Sequence, residues 1–481
     1  MSEGSELQVG TTKQLFLDDL IIDEQCDVDR TLHQPAKYAG NPLMFPLYPW
    51  EGRITLYGNV MRDPDDPDLL RMWYTGYGGM GIRQMGSEDT SKWAHLGFDP
   101  NNLLYMYCYA TSRDGIFWDR PNLGLVEYEG SRDNNIVLLN ASSGNVIYDE
   151  RDPDPARRYK SLFFESREKD GTSNEGDGFS VGFSPDGLKW AKYDGNPVSK
   201  RSSDAHTLLG WDERHGQYVA YARPSLHEGN MTRRIGRSVS DDFNRWTDPE
   251  DMLVPDDDDP PGTEFYGMPV FTYEDHYIGL LYIYHTPPEE RQISFFGKID
   301  VQLADSRDGI HWNRTAGRAT FMPNGPPNSI DAGEIYMANT PLIVDDELWF
   351  YYSPSAAEHG RTGRSGPICL AKLRLDGFVS VDAGADGGSL VTLPFECAGG
   401  DLEINASARG GHVSVAVLDE EGFEHAGFAR VCSALFDGDS VCQRMKWKDA
   451  VFDTLKGQRI RLKFYLQNAS LYAFRQTGER S

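Results

Sequence analysis

An all-β chain, a five-bladed β-propeller followed by a C-terminal β-sandwich, is the fold class this sequence predicts, and three observations predict it. A short motif, small-x-Asp-x-x-x-Trp, returns along the first 380 residues: SRDGIFW ends at Trp118, SPDGLKW at Trp190, SDDFNRW at Trp246 and SRDGIHW at Trp312. An aromatic-rich stretch precedes each copy (RMWYTGY, RYKSLFFES, QYVAYARP, YIGLLYIYH), and another, LWFYYSPS, precedes a degraded copy, LRLDGFV. Near Ser380 the motif stops and short segments of period-two alternation take over.

The copies lie 72, 56 and 66 residues apart, and Asp376 of the degraded copy follows Asp308 by 68, which keeps the period. Such a period signals one supersecondary unit used repeatedly. Asp-Gly between apolar residues reads as a hairpin turn, because glycine supplies a positive φ without strain. The aromatic stretches read as strands, since aromatic and β-branched side chains suit a half-buried pleated surface. Ahead of each runs another apolar segment ending in an acidic turn: NVMRDPDDPD, NVIYDERDPD, TLLGWDERHG, PVFTYEDH and PLIVDDE. One unit is therefore strand, acidic turn, aromatic strand, loop, strand, Asp-Gly turn, strand. Four antiparallel strands repeated five times make a five-bladed propeller over residues 1–380. Solenoid repeats are shorter, and a chain of sandwiches has no need of one turn motif five times.

The remaining segments fit around this frame. QLFLDDLIID at the front reads as a strand that caps or closes the ring. Tyr74 to Trp118 is 44 residues, against 31 from Tyr159 to Trp190 and 25 from Tyr221 to Trp246, so the first blade carries an insertion, Gly78 to Asn101. It reads either as a lid over the propeller mouth or as an inert surface loop. SVDAGADGGS is a linker, and beyond it DLEINAS, HVSVAVLD and RIRLKFYL alternate as sandwich strands over 388–477.

Composition narrows the partners. The 481 residues are 39% hydrophobic and 25% charged, enough for a large core. A net charge of −27 repels phosphate backbones and anionic headgroups, so nucleic acid and membrane are not expected as partners. MSEGSELQVG has neither a basic n-region nor an apolar h-region, and a cytoplasmic location is the expectation. Six scattered cysteines without CxxC point to neither a zinc site nor a disulfide framework, although Cys432 and Cys442 would pair in an exported chain. No cofactor motif is present, and the Asp256–Asp259 run followed by two prolines reads as a solvated loop.

In a propeller the inner strands converge on the axis, so residues at their starts surround one funnel. There lie Glu51 in YPWEGRITLYGNV, Asp204 in SSDAHTLLGWD, Glu264 in GTEFYGMPVF, and Asp331 and Glu334 in SIDAGEIYMANTPLIV; the second blade offers Asn145 and no acid. Two carboxyl groups flanking a glycosidic bond suffice to cleave it, one as proton donor and one as nucleophile or base. A third carboxylate can stabilise positive charge on the ring or tune the acid's pKa, and Glu334 or Asp331 can position the sugar. Trp50, Tyr266 and Tyr336 can stack on sugar rings, while Arg53, His206, Arg223 and Asn339 can hydrogen-bond hydroxyls. His206 alone, without companion histidines at fixed spacing, is not a metal motif, and no metal is expected.

With these segments the chain resembles the five-bladed propeller glycoside hydrolases, closest in character to family 32, with families 43, 68 and 130 as more distant relatives. Those enzymes carry a nucleophilic Asp in a WMNDPNG-like segment of the first blade, where this chain has PWEG with Glu51. Their acid/base Glu lies in an ECPDLF-like segment, which Thr263 to Phe271 is similar to, with Glu264 in its place. Their stabilising Asp lies in an RDP motif; RDP occurs here at Asp63 and Asp152, in acidic turns that read as structural, and Asp204 is preferred. The resemblance implies a carbohydrate substrate and a glycosidase, with Glu264 as the expected acid, Glu51 as the nucleophile or base and Asp204 as the stabiliser. A glycoside phosphorylase, using Arg223, Arg233 and Arg234 for phosphate, and a non-catalytic carbohydrate- or protein-binding propeller are the alternatives.

Overall fold

The structure, a computed structural model, describes residues 9–77, 105–165, 178–199, 202–224, 232–287, 296–361, 364 and 366–478. The expected insertion, Gly78 to Asn101, lies outside the described residues. Five antiparallel blades follow in chain order. Blade 1 runs Arg53–Thr55 with Val60–Arg62, Leu70–Tyr77, Tyr105–Ser112 and Ile136–Leu139. Blade 2 runs Ser142–Tyr148, Tyr159–Phe164, Phe179–Ser184 and Ala191–Lys192; blade 3 runs Ser202–Asp212, Gln217–Pro224, Ile235–Ser240 and Glu250–Leu253. Blade 4 is Thr263–Phe265 with Val270–Tyr273, then His276–His285 and Lys298–Ser306, edged by Asn313–Arg314 and Thr320–Met322. Blade 5 is Glu334–Met337 with Leu342–Val344, then Glu347–Ser355 and Cys369–Arg374.

The repeated motif is a side-chain-capped loop rather than a two-residue hairpin turn. Asp114 Oδ1 accepts the backbone N–H groups of Ile116 and Phe117 (2.9 and 2.8 Å), and Ser112 Oγ accepts that of Gly115 (2.8 Å). Asp186, Asp242 and Asp308 repeat the pattern. Desolvation pushes these carboxyls up, but backbone donors, preceded at Asp308 by the His311 side chain, win and hold all four below the usual range. The position after each Asp is left-handed: Gly115, Gly187 and Gly309 at φ 74°, 72° and 69°, and Phe243 at 64° where glycine is missing. Each Trp then packs on the preceding blade, Trp118 on Tyr351, Trp190 on Tyr107, Trp246 on Phe179 and Trp312 on Tyr221, with ring centroids 5.7 to 6.5 Å apart. The motif is thus an inter-blade staple.

The degraded fifth copy marks where the chain leaves the ring. Val379–Ala383 pairs with Asp29–Leu32 and Ala469–Gln476 in the sandwich, which leaves the edge of blade 5 open. Ala36–Lys37 fills that edge, opposite Lys372 and Ala371. QLFLDDLIID does not close the ring: Gln14–Leu15 pairs with Ala469–Gln476 and Ile22–Cys26 with Gly388–Thr392. The sandwich therefore draws strands from residues 14–32, which the boundary of 1–380 had assigned to the propeller. Its two sheets enclose Phe16, Ile21, Leu390, Val415, Phe464 and Phe474, and Arg459–Gln467 shows the alternating burial its sequence predicts.

The sandwich and the propeller share a core. Leu15, Leu17, Phe378, Val379 and Ala473 pack in one cluster with blade 4 and blade 5 residues such as Leu303 and Phe350. At this junction Asp376 binds Lys13 Nζ, Tyr273 Oη and Asn405 Nδ2 at 2.6 to 3.0 Å. All six cysteines are free, Cys432 and Cys442 included.

Candidate functional site at the propeller axis

Hydrogen bonds between successive blades, all but one of them joining first strands, identify the axis and tie the ring together. Val146 N donates to Asn59 Oδ1, Leu208 N to Asn145 Oδ1, Thr207 Oγ1 to Met268 O, Tyr282 Oη to Met337 O and Asn339 N to Gly58 O, at 2.6 to 3.1 Å. Asn339 Nδ2 also donates to Leu208 O, which joins blade 5 to blade 3. Beside this belt, where the inner strands begin, lies a polar and aromatic cluster assembled from blades 1, 3, 4 and 5.

Three carboxylates in the cluster each face a guanidinium. Glu334, with no exposed side-chain surface, receives Arg364 through two bonds of 2.8 Å and a third from Tyr336 Oη at 2.8 Å. Its burial opposes ionisation, but Arg364, His359 and Arg53 together hold its pKa below the usual value. Glu264, 12% exposed, pairs with Arg233. Asp204, 52% exposed, pairs with Arg223. The aromatic wall joins the three. Arg223 stacks over Tyr266 (4.8 Å) and Arg233 over Tyr284 (5.1 Å). Tyr266 meets His359 Nε2 at 3.1 Å and Tyr284 meets His359 Nδ1 at 3.2 Å. Tyr57, half-buried, lies 4.8 Å from Tyr336, which lies 5.7 Å from Tyr266. Burial raises the pKa of Tyr57, Tyr284 and Tyr336, so their hydroxyls remain donors. His206 is buried nearby on blade 3; burial drops its pKa to about 4 despite the charge of Asp204, and the ring is neutral near pH 7.

The expected residues divide cleanly. Asp204, Glu264, Glu334, Arg223, Tyr266 and Tyr336 come together in the cluster, whereas Glu51, Trp50 and Asp331 do not join it. Glu51 was the expected nucleophile or base, but its side chain has no exposed surface and both oxygens are taken. Oε2 accepts Leu47 N and Tyr48 N, and Oε1 accepts Tyr74 Oη and faces Arg120 Nε at 3.0 Å. Trp50 stacks on Tyr48 and donates to Asn135 Oδ1, so it is a packing residue of blade 1. Asp331 holds the closing strand through Lys37 and accepts Ser329 Oγ. Asp63 and Asp152 cap their acidic turns, as expected of them. Asp256 and Asp259 in the acidic run pair with Arg318 and Arg314. Arg234 points away to Asp251.

Sequence reasoning missed Tyr57, Tyr284 and Arg364. Tyr57 and Tyr284 lie in strands and loops already crowded with aromatics, and Arg364 follows Ser355 in a loop with no motif; nothing local distinguishes them. Among the described residues, the one cluster of three metal-ligating side chains lies outside this site, at Asp18, His276 and Asp305.

No protein-family model matches this chain, and no curated protein does. Solved structures do. A β-1,2-mannobiose phosphorylase from Listeria innocua aligns at 13% identity over 71% of this chain and 96% of that one, TM-score 0.49. A glycosyl hydrolase from Bacteroides ovatus aligns at 13% identity over 72% and 94%, TM-score 0.46. An N-acetylgalactosamine deacetylase from F. plautii, in complex with blood group B trisaccharide, aligns at 14% identity over 78% and 97%, TM-score 0.43. At these identities no residue role is carried over from them.

Proposed function

We propose that the chain is a carbohydrate-active enzyme that cleaves a glycosidic bond at the axial cluster. One observation carries the reading: carboxylates from blades 3, 4 and 5, each steadied by an arginine, border one tyrosine-lined wall. Tyrosine faces suit stacking on sugar rings, and two carboxyl groups supply the proton donor and the nucleophile or base that the reaction needs. Glu264, recessed beside Tyr284, takes the donor role, and the more open Asp204 takes the role first expected of Glu51. Glu334, saturated by Arg364 and Tyr336, positions the wall. A finer likeness to family 32 rests on the Glu264 segment alone.

The test is sugar release from a panel of fructans, arabinans, mannans and uronic or rhamnosyl glycans, with Glu264→Gln in parallel. Release by the wild type and its loss in the variant supports the reading; release undiminished in the variant refutes the donor assignment. A hydrolase is the first reading. Phosphorolysis is the second, favoured by four guanidiniums (Arg53, Arg223, Arg233 and Arg364) around three carboxylates. Turnover that requires added phosphate would select it.

A further inference from the structure

A second polar cluster lies far from the axial site, where the N-terminal segment crosses the end of blade 4. His276 begins the second strand of that blade and Asp305 lies near the end of the third, while Asp18 comes from the segment between Leu17 and Ile21. One ligand atom from each lies within 4.8 Å of the others. His276 has no exposed surface and Asp305 1%. Neither ring nitrogen of His276 has a hydrogen-bond partner, and neither does Asp305 Oδ2. Buried polar atoms are almost always satisfied, so an unpartnered imidazole beside an unpartnered carboxylate oxygen requires an explanation.

We propose that Asp18, His276 and Asp305 bind a divalent transition-metal ion of the Zn2+ or Mn2+ type. One imidazole nitrogen with two carboxylates is a donor set for such ions, with water completing the shell; an all-oxygen site would favour Ca2+ or Mg2+. The surroundings are arranged as a supporting layer. Arg307 holds both oxygens of Asp18 (2.8 and 3.0 Å) and pairs with Asp275, and Thr315 Oγ1 donates to Asp305 Oδ1 (2.8 Å). Asp18 Oδ1 is used by Arg307 and by the Leu20 backbone N–H (3.1 Å), whereas Oδ2, which accepts only Arg307 Nε, keeps a second lone pair for the ion. Carboxylates outnumber guanidiniums here: Asp18, Asp19, Asp275 and Asp305 face Arg30, Arg307 and, farther out, Arg214. An ion at this point fastens the N-terminal segment, whose Leu17 and Ile21 pack in two different cores, to the end of blade 4.

The purified full chain, stripped with a chelator and transferred to metal-free buffer, is given ZnCl2 or MnCl2, desalted and assayed for metal. The wild type should retain about one ion per chain more than Asp305→Asn or His276→Gln, and added metal should raise its melting temperature and not theirs. Equal metal content in wild type and folded variants overturns the site. Should the variants not fold, wild-type crystals grown with Zn2+ decide: an anomalous peak among the three side chains supports the site, and its absence overturns it. Both readouts are independent of sugar cleavage.

Discussion

Glu51 and Glu264 occupy matching places in their repeats, each a glutamate beside an aromatic residue at the start of an inner strand, and the fold treats them in opposite ways. Glu51 is enclosed by a turn, Tyr74 and Arg120 of its own blade, with both oxygens occupied and no exposed surface. Glu264 pairs with Arg233 from the neighbouring blade and retains an open side next to Tyr284. A carboxylate saturated from within its own blade holds that blade in shape, because moving it breaks several bonds at once. One anchored by a single ion pair across a blade junction remains able to meet a ligand.

The contrast is sharpest in activity. Glu264→Gln and Asp204→Asn should each lower glycosidic-bond cleavage by about 10²- to 10⁴-fold with little change in melting temperature. Glu51→Gln should do the reverse, costing about 3–5 kcal/mol in urea unfolding by stranding Arg120 and Tyr74 while the folded fraction keeps its activity. Activity lost with stability intact would break the contrast and return Glu51 to the site.

His206, on the same strand as Asp204, tests burial without an ion pair. Its pKa falls from 6.5 unfolded to about 4 folded, so between those values the unfolded chain binds more protons. Stability should therefore decline as pH falls from 6.5 to 4, by up to about 3 kcal/mol, and His206→Gln should flatten that part of the profile in denaturant titrations. The smallest effect belongs to the turn acids. Asp186→Ala should cost about 1 kcal/mol by releasing two backbone N–H groups, while Asp186→Asn, which keeps an acceptor oxygen, should cost less. Because the Asp186 pKa is lowered in the fold, its contribution is present above its ordinary value of 3.8 and is lost as pH falls through the folded value.

Most of the fold is legible in the chain itself. The Ser-x-Asp loop and its Trp recur because every blade must cap the same turn and pack on the same neighbour, so local chemistry repeats wherever the geometry does. Alternation in RIRLKFYL shows in the sequence because one face of a strand is buried and the other is not. The ring closure was not legible, since Ala36–Lys37 is two residues long and carries no pattern. Its partner edge exists only because the fifth repeat diverts into the sandwich.

The same division runs through the site. Position along the chain identified Asp204, Glu264 and Glu334 as acids at strand starts, but it marked Glu51 and Asp331 equally. What separates them is the set of partners each meets, and those come from distant residues: Arg364 for Glu334, Arg233 for Glu264, Lys37 for Asp331. By itself the sequence determined the repeat, the class of fold and a short roster of acids, because these depend on residue type and spacing. Only the tertiary structure decided which acids are saturated and which stay open, because hydrogen-bond saturation depends on groups brought together from separate blades.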